Sequence, residues 1–398
     1  MFSNEGMGEN HAGSGRKTDR ITGIRGIAGL LCSPTNQPAQ DPSSDAKAAL
    51  GPKPFISYFK PMPAARLSAS VWGAAEVGRR DPLNGLEDAT LAKWNYWDGQ
   101  ILQGSDGKYR MFASRWGQAL GHMAWGQSLA VSAISNSLYG PYRDTGLIWP
   151  NDEGGKGHNV IALKLPDGRY AVVVSETRNG DVFVSKSIDG PWQKLGSISV
   201  DQSAFTSVKT PGDLPSSAPK APWKASNVSL IARPDGRFEI IQRSGQILIS
   251  DTGILGPYKV MGDSIYRSVS GIPQTDMRAY EDPVIWYSGG WYHVIVNHWR
   301  SRRAYHLISR DGIAGWRFQG TAYEPNAKFI RYADGTNNTW NKLERPAVVI
   351  EDGYVIAMTF AVIDTSKESQ TGGNGHGSKV IVVPFDGASM DHDLMALR

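Results

Sequence analysis

The chain has 398 residues, 40% hydrophobic and 20% charged, with a formal net charge of +4 and one cysteine, Cys32. That is enough apolar material for one large domain or two ordinary ones, while a lone cysteine excludes an internal disulfide and a cysteine-ligated metal. No basic stripe interleaved with aromatics speaks for nucleic acid, and no run approaches the ~18 apolar residues that span a bilayer.

Residues 1–44 are rich in Gly, Ser, Asn and Pro and read as an unordered tail. Within it Arg16, Lys17, Arg20 and Arg25 flank the short apolar piece 26–31, which ends at Cys32. That pattern resembles a degenerate lipoprotein signal, so a periplasmic or secreted protein is expected, with a cytoplasmic one as the alternative. Residues 44–50 read as a short capped helix stopped by Gly51 and Pro52. Together with the aromatic, Pro-interrupted passage 55–63 it forms an arm and lead-in over 45–91.

From residue 92 to 390 the pattern is β, without helix-length apolar periodicity. A polar residue recurs eight positions ahead of a tight turn: Asp98 before Asp106-Gly107, Asn159 before Asp167-Gly168, Asn227 before Asp235-Gly236, Glu281 before Gly289-Gly290, and Glu344 before Asp352-Gly353. Each turn opens an apolar, aromatic-containing strand, expected over 108–112, 169–173, 237–241, 291–295 and 354–358. The first four units continue through a loop of the Gly-Pro-aromatic kind (140–142, 190–192, 256–258 and, degenerate, 312–316), where a proline that cannot donate to a ladder precedes an outer strand. Units recurring at roughly 60-residue intervals are too long for a β-solenoid and fit four-stranded blades. The expected fold is all-β, a five-bladed β-propeller behind a short N-terminal arm.

In such a ring the five polar positions head the innermost strands and meet at one mouth of the central channel. Asp98, Glu281 and Glu344, with Asp282 beside the second, would bring several carboxyls together, an arrangement that costs energy unless a group is protonated, paired or metal-bound. Convergent carboxyls suit glycoside hydrolysis, one activating water as base, another protonating the leaving oxygen and a third tuning or orienting them. Trp97 beside Asp98 offers a face for a sugar ring. His158, Asn159, Asn227, Glu281, His298, Arg345 and His376 complete the expected substrate-binding set. No HExxH or comparable spacing calls for a protein-ligated metal. No cofactor is required, although a divalent cation or water cluster on the axis is compatible with the amides and carboxyls.

The segments Lys93-Trp94-Asn95-Tyr96-Trp97-Asp98-Gly99, Tyr280-Glu281-Asp282-Pro283-Val284-Ile285-Trp286 and Leu343-Glu344-Arg345-Pro346 carry a resemblance. Over roughly residues 45–390 the chain is similar to five-bladed propeller glycosidases. It is closest in pattern to glycoside hydrolase family 117 and more distantly similar to family 43, whose acids lie in the first three blades. The resemblance implies an exo-acting hydrolase that releases a terminal sugar, with inversion, from oligosaccharides of a complex, acidic or algal polysaccharide. It implies Asp98 as general base, Asp282 and Glu344 as the other catalytic carboxyls, and a homodimer through the N-terminal arm. The family has a histidine just before the blade-five glutamate as candidate acid, and this chain has Leu343. The acid is then Glu344 or Asp282, or another histidine such as His158 or His298, or the chemistry differs. Two rival functions are a polysaccharide lyase acting on a uronate and a propeller that binds glycans without turnover.

Overall fold

The computed structural model describes residues 52–203, 223, 225–325 and 328–397. The expected tail, the Cys32 signal and the helix at 44–50 lie outside the described residues. The rest builds five antiparallel sheets in a ring, the expected five-bladed propeller. Blade one is β1 (Trp94–Gln103), β2 (Tyr109–Gly117), β3 (Leu129–Ser135) and β4 (Arg143–Leu147). Blade two is β5 (His158–Lys164), β6 (Tyr170–Glu176), β7 (Asp181–Ser185) and β8 (Gln193–Ser197). Blade three is β9 (Ser229–Ala232), β10 (Phe238–Ile241), β11 (Ile247–Ser250) and β12 (Lys259–Val260). Blade four is β13 (Tyr280–Ser288), β14 (Trp291–His298), β15 (Arg303–Ser309) and β16 (Arg317–Tyr323). Blade five has β17 (Lys342–Glu351), β18 (Tyr354–Ile363) and β19 (Ser378–Pro384).

The repeated Asp-Gly turns have a common cause. Asp106, Asp167 and Asp235 each accept the backbone N–H two residues on, at 3.1, 3.0 and 3.1 Å, and the following glycines take the left-handed conformation that closes the turn. Strand β6, second from the axis in blade two, is covered on both faces by neighbouring blades, so Val172, Val173 and Val174 are buried in succession rather than alternately. One apolar cluster fills each gap between blades. Phe112 and Val160 meet between one and two, Val173 and Leu230 between two and three, and Ile241 and Val294 between three and four. Ile295 and Phe360 meet between four and five, and Met111 and Val382 between five and one. Five blades with five filled gaps leave no open flank.

The lead-in supplies what blade five lacks. Leu86 bridges Val380 in both directions, its N–H donating at 2.9 Å and its carbonyl accepting at 3.0 Å. The Asn84 amide donates to the Val382 carbonyl at 2.8 Å and accepts from the Val382 N–H at 2.9 Å. Phe55, Phe59 and Trp72 sink into the core between blades four and five, so the described part of the arm packs against this chain's own propeller. Besides the single-turn helix Ile265–Ser268 and a few short turns, a longer element departs from the β pattern. Residues Gly387–Met395 form a helix, capped by Asp386, which accepts the Ser389 N–H at 3.2 Å. Its nine residues bury Met390 and Leu394, too short a stripe to register as periodicity. No helix among the described residues is long and apolar enough to cross a membrane.

Replacing Asn84 with alanine leaves the Val382 N–H and C=O buried without partners. It is expected to cost about 2–6 kcal/mol in chemical denaturation, at 1–3 kcal/mol for each orphaned group. An unchanged midpoint would show that the ring closes without this clasp.

Candidate active site

One residue in or just ahead of each inner strand adopts a left-handed backbone: Asp98 (φ 68°), Asn159 (56°), Asn227 (46°), Asp282 (52°) and Arg345 (48°). Counting back from the turns selects Glu281 and Glu344 in the last two blades, but the backbone selects their successors. Register shifts between Glu281 and Val284 and between Glu344 and Ala347 mark the bulges responsible, as one between Asp98 and Gln100 does in blade one. Asp and Asn tolerate this conformation, whereas for arginine it costs roughly 1–2 kcal/mol. Such strain collects at functional sites.

Arg345 offsets that cost at the axis. Its Nε donates to Asp98 at 3.1 Å, its Nη1 to Asp282 at 3.4 Å, and its backbone N–H to Asp282 at 3.3 Å. All three side chains are buried. Asp98 also accepts the Ser114 hydroxyl and, at 3.2 Å, the Val160 N–H. Its oxygens are thus engaged on three sides, beneath the wall of the cavity that opens above. Asn159 donates to Asn227 across the two amide blades.

That cavity holds about 260 Å³ and is bounded by Trp97, Trp116, Trp125, His122 and His158 on the blade-one and blade-two side. Glu176, Ser226, Asn159, Asn227 and Arg243 line another wall, with Glu281, Asp282, Glu344, Arg345 and Lys367 completing it. The closest oxygens of Glu281, Asp282 and Glu344 lie within 4.8 Å of one another. Equal charge on three such neighbours is untenable, and their surroundings separate them. Burial, followed by the charges of Glu344 and Asp282, pushes Glu281 up to about 8. Burial also raises Asp282, against the pull of Arg345. Burial would raise Glu344 too, but Lys367 and Lys342 outweigh it and hold it below the ordinary value. Lys367 Nζ donates to one Glu344 oxygen, and Lys342 Nζ stands 3.4 Å from the other. Positive charge for the cluster therefore comes from Lys367, Lys342 and Arg345.

Of the residues expected at the site, Trp97, His158, Asn159, Asn227, Glu281, Asp282, Glu344 and Arg345 line the cavity. Asp98 is at the axis but behind Arg345. His298 does not line the cavity; it is buried, and its Nδ1 pairs with the Ser301 hydroxyl at 2.9 Å. Its position near the end of β14 aims it at the loop that follows rather than at the axis. His376 is also outside the lining, its Nδ1 2.8 Å from Asp364. His158 is held neutral, burial lowering it to about 4. Sequence reading missed Glu176, His122, Trp116, Trp125, Arg243 and Lys367. They sit at strand ends or on connections, outside the repeated position, and only Glu176 carried a hint, as the polar end of an apolar strand. Trp286, grouped with the fourth unit's acids by proximity in sequence, is core, stacked on His293 at 4.8 Å.

A five-bladed propeller with buried carboxyls around one channel mouth defines a fold class that comparison with solved structures recovers. No protein-family model matches the chain, and no curated protein sequence matches it. The catalytic domain of a Coprinopsis cinerea family 62 alpha-L-arabinofuranosidase aligns over 83% of this chain and 98% of its own, at 13% identity and a TM-score of 0.52. A family 117 glycoside hydrolase from the marine bacterium Zobellia galactanivorans covers 76% of this chain and 88% of its own, at 12% identity and 0.48. A family 43 beta-1,3-galactosidase covers 80% of this chain at 12% identity and 0.44, and the chain spans 59% of that protein's length. The likeness to the family 62 catalytic domain shows a shared propeller fold.

Two expectations follow from the electrostatics. Arg345→Met leaves Asp98 and Asp282 buried without their cation and should destabilise the protein by about 3–5 kcal/mol, the usual cost of breaking a buried pair; equal denaturation midpoints would refute the axial role. Glu281 binds a proton in the folded chain that it releases near 4.5 when unfolded. Its contribution to stability is therefore present below pH 4.5 and is lost as pH rises towards 8. Relative to Glu281→Gln, the wild type should lose stability steadily over that window in denaturation series, and parallel curves would contradict the shift.

Proposed function

We propose that the protein is an exo-acting glycoside hydrolase that removes a terminal sugar from oligosaccharides. The observation that supports this most is the contrast between Glu281 and Glu344, neighbouring carboxyls of opposite tuning on one cavity wall. Carboxyl pairs whose surroundings push them apart mark acid and base. Glu281, raised to about 8, holds a proton at neutral pH, and Glu344 stays ionised beside Lys367. A volume of about 260 Å³ is small for a ligand site and fits one terminal sugar with little of its neighbour. Trp125, partly exposed on the cavity wall, offers a face for an apolar sugar surface.

Spacing bears on the stereochemistry. Carboxyls whose nearest oxygens lie within 4.8 Å of one another favour the short spacing of about 5–5.5 Å used in double displacement over the roughly 6.5–9.5 Å that admits a water. The pair suits double displacement. Glu281 gives its proton to the glycosidic oxygen as the C1–O bond breaks, and Glu344 forms an ester to C1. Glu281, now a carboxylate, takes a proton from water as that water attacks C1, and Glu344 leaves. On this reading the configuration is retained, in place of the inversion implied by family 117, and Asp98 holds Arg345 instead of activating water.

A screen of plant and marine oligosaccharides, read by chromatography, should reveal release of monosaccharide. Glu281→Gln and Glu344→Gln should each reduce the rate at least ~100-fold, and the wild-type rate should fall as pH rises through about 8. NMR of the first product should show the substrate's anomeric configuration. Inversion would displace Glu344 as nucleophile and pass the base role to Glu176 or Asp98. Full turnover in both variants would defeat the glycosidase reading, and a product absorbing as an unsaturated uronate would replace it with a lyase.

A further inference from the structure

Lys367 belongs to none of the repeated strands. It lies on the long connection between β18 and β19, residues 364–377, which crosses from blade five to the rim of blade one. There it meets a second connection, between β2 and β3, whose two turns Gln118–Leu120 and His122–Gln127 carry His122 and Trp125 to the cavity. The two connections interlock. The His122 N–H donates to the Gln370 carbonyl at 2.9 Å, and the Gln118 side chain donates to the His376 carbonyl. Gly372, at φ 90°, lies so close that a Cβ there would stand 2.4 Å from the Ala119 carbonyl oxygen. Gly121, at φ 77°, would meet the Gln370 carbonyl at 3.0 Å. Neither glycine admits a side chain while the loops stay in place.

The lock holds the Lys367 ammonium at one point. It donates to Glu344 and lies 5.0 Å above the Trp97 ring. The other charged or titratable groups that face it are Lys342 from β17, Glu281 and Asp282 from β13, His122 from the blade-one connection and His158 from β5. Both histidines are kept neutral by burial, so the ammonium acts on the carboxyls.

We infer that Lys367 is a positioning residue that fixes the charge of Glu344, and that the interlocked connections of blades one and five exist to hold it there. This rests on the roles given above to Glu281 and Glu344 as an acid and an ionised partner. The rim is then part of the reaction's electrostatics. Moving the blade-five connection away from Ala119 removes the cation that distinguishes two adjacent glutamates.

The test uses the full chain with ¹³C-labelled glutamate side chains, following carboxyl carbons by NMR across pH, with the Glu344 signal assigned by its loss in Glu344→Gln. In Lys367→Gln the Glu344 midpoint should rise by roughly 1–3 pH units, the range an opposite charge within ~4–6 Å commands, and Lys367→Arg should restore it. Gly372→Val should raise it in the same direction without touching either charge. A midpoint unmoved in Lys367→Gln overturns the inference, as does one unrestored by arginine. The readout needs no substrate. If the midpoint moves while the wild type hydrolyses nothing, the positioning role stands and the glycosidase reading falls; if hydrolysis is confirmed and the midpoint stays, the reverse holds.

Discussion

The Arg345 guanidinium, fixed between Asp98 and Asp282, is the interaction on which the rest of the site depends. A propeller with polar inner-strand positions drives them together at its axis, and here two of the five are acids on blades one and four. Buried carboxylates that close need a cation of fixed geometry, and a guanidinium meets two at once where an ammonium does not. The price is a left-handed backbone at an arginine. With that position occupied, the side chain before it, Glu344, turns to the cavity instead of the axis, as Glu281 does ahead of Asp282. The bulges therefore produce two layers: an axial set of Asp98, Asp282 and Arg345, and above it the pair Glu281 and Glu344, with Asp282 reaching the cavity wall as well.

Two layers explain how four carboxyls on three blades escape mutual repulsion without equal protonation. Arg345 compensates the lower layer. In the upper layer Lys367 and Lys342 compensate Glu344 alone, and Glu281 takes up a proton instead. Arg243, 3.7 Å from Glu281 and partly solvated, is too weak a neighbour to undo that. The asymmetry comes from chain geometry. Blade five lends a long connection that returns over the channel mouth, whereas the β14–β15 connection of blade four is short, and its arginines are engaged elsewhere, Arg300 with Asp276 and Arg302 with the Asn341 carbonyl.

The propeller was legible in the sequence because it rests on local chemistry. Asp-Gly turns close through aspartate oxygens and their neighbours' N–H groups, and that signature recurs whatever the blades contact. The cavity's carboxyls were legible for the same reason, being tied to the turns by fixed strand length. The one-residue offset in blades four and five was not, since a bulge inserts a residue without altering composition. Lys367, His122, Trp125 and Arg243 were hidden more deeply. They come from connections whose path is set by contacts distant in sequence, such as Gly372 against Ala119. The closing clasp of Asn84 and Leu86 on β19 joins positions almost three hundred residues apart and leaves no local trace.

Leu343 shows how a missing residue can mislead. A histidine there in family 117 made its absence read as the loss of a proton donor. In this chain Leu343 pairs with Val362 and packs into the core between blades four and five, facing away from the cavity. The histidines that do reach the cavity, His122 and His158, are both held neutral by burial, so neither carries a proton to give near neutral pH. A carboxyl pushed up to about 8 does. In the reaction proposed above the donor is Glu281 on blade four, set apart from Glu344 by the Lys367 ammonium, so donor and cation are two parts of one arrangement.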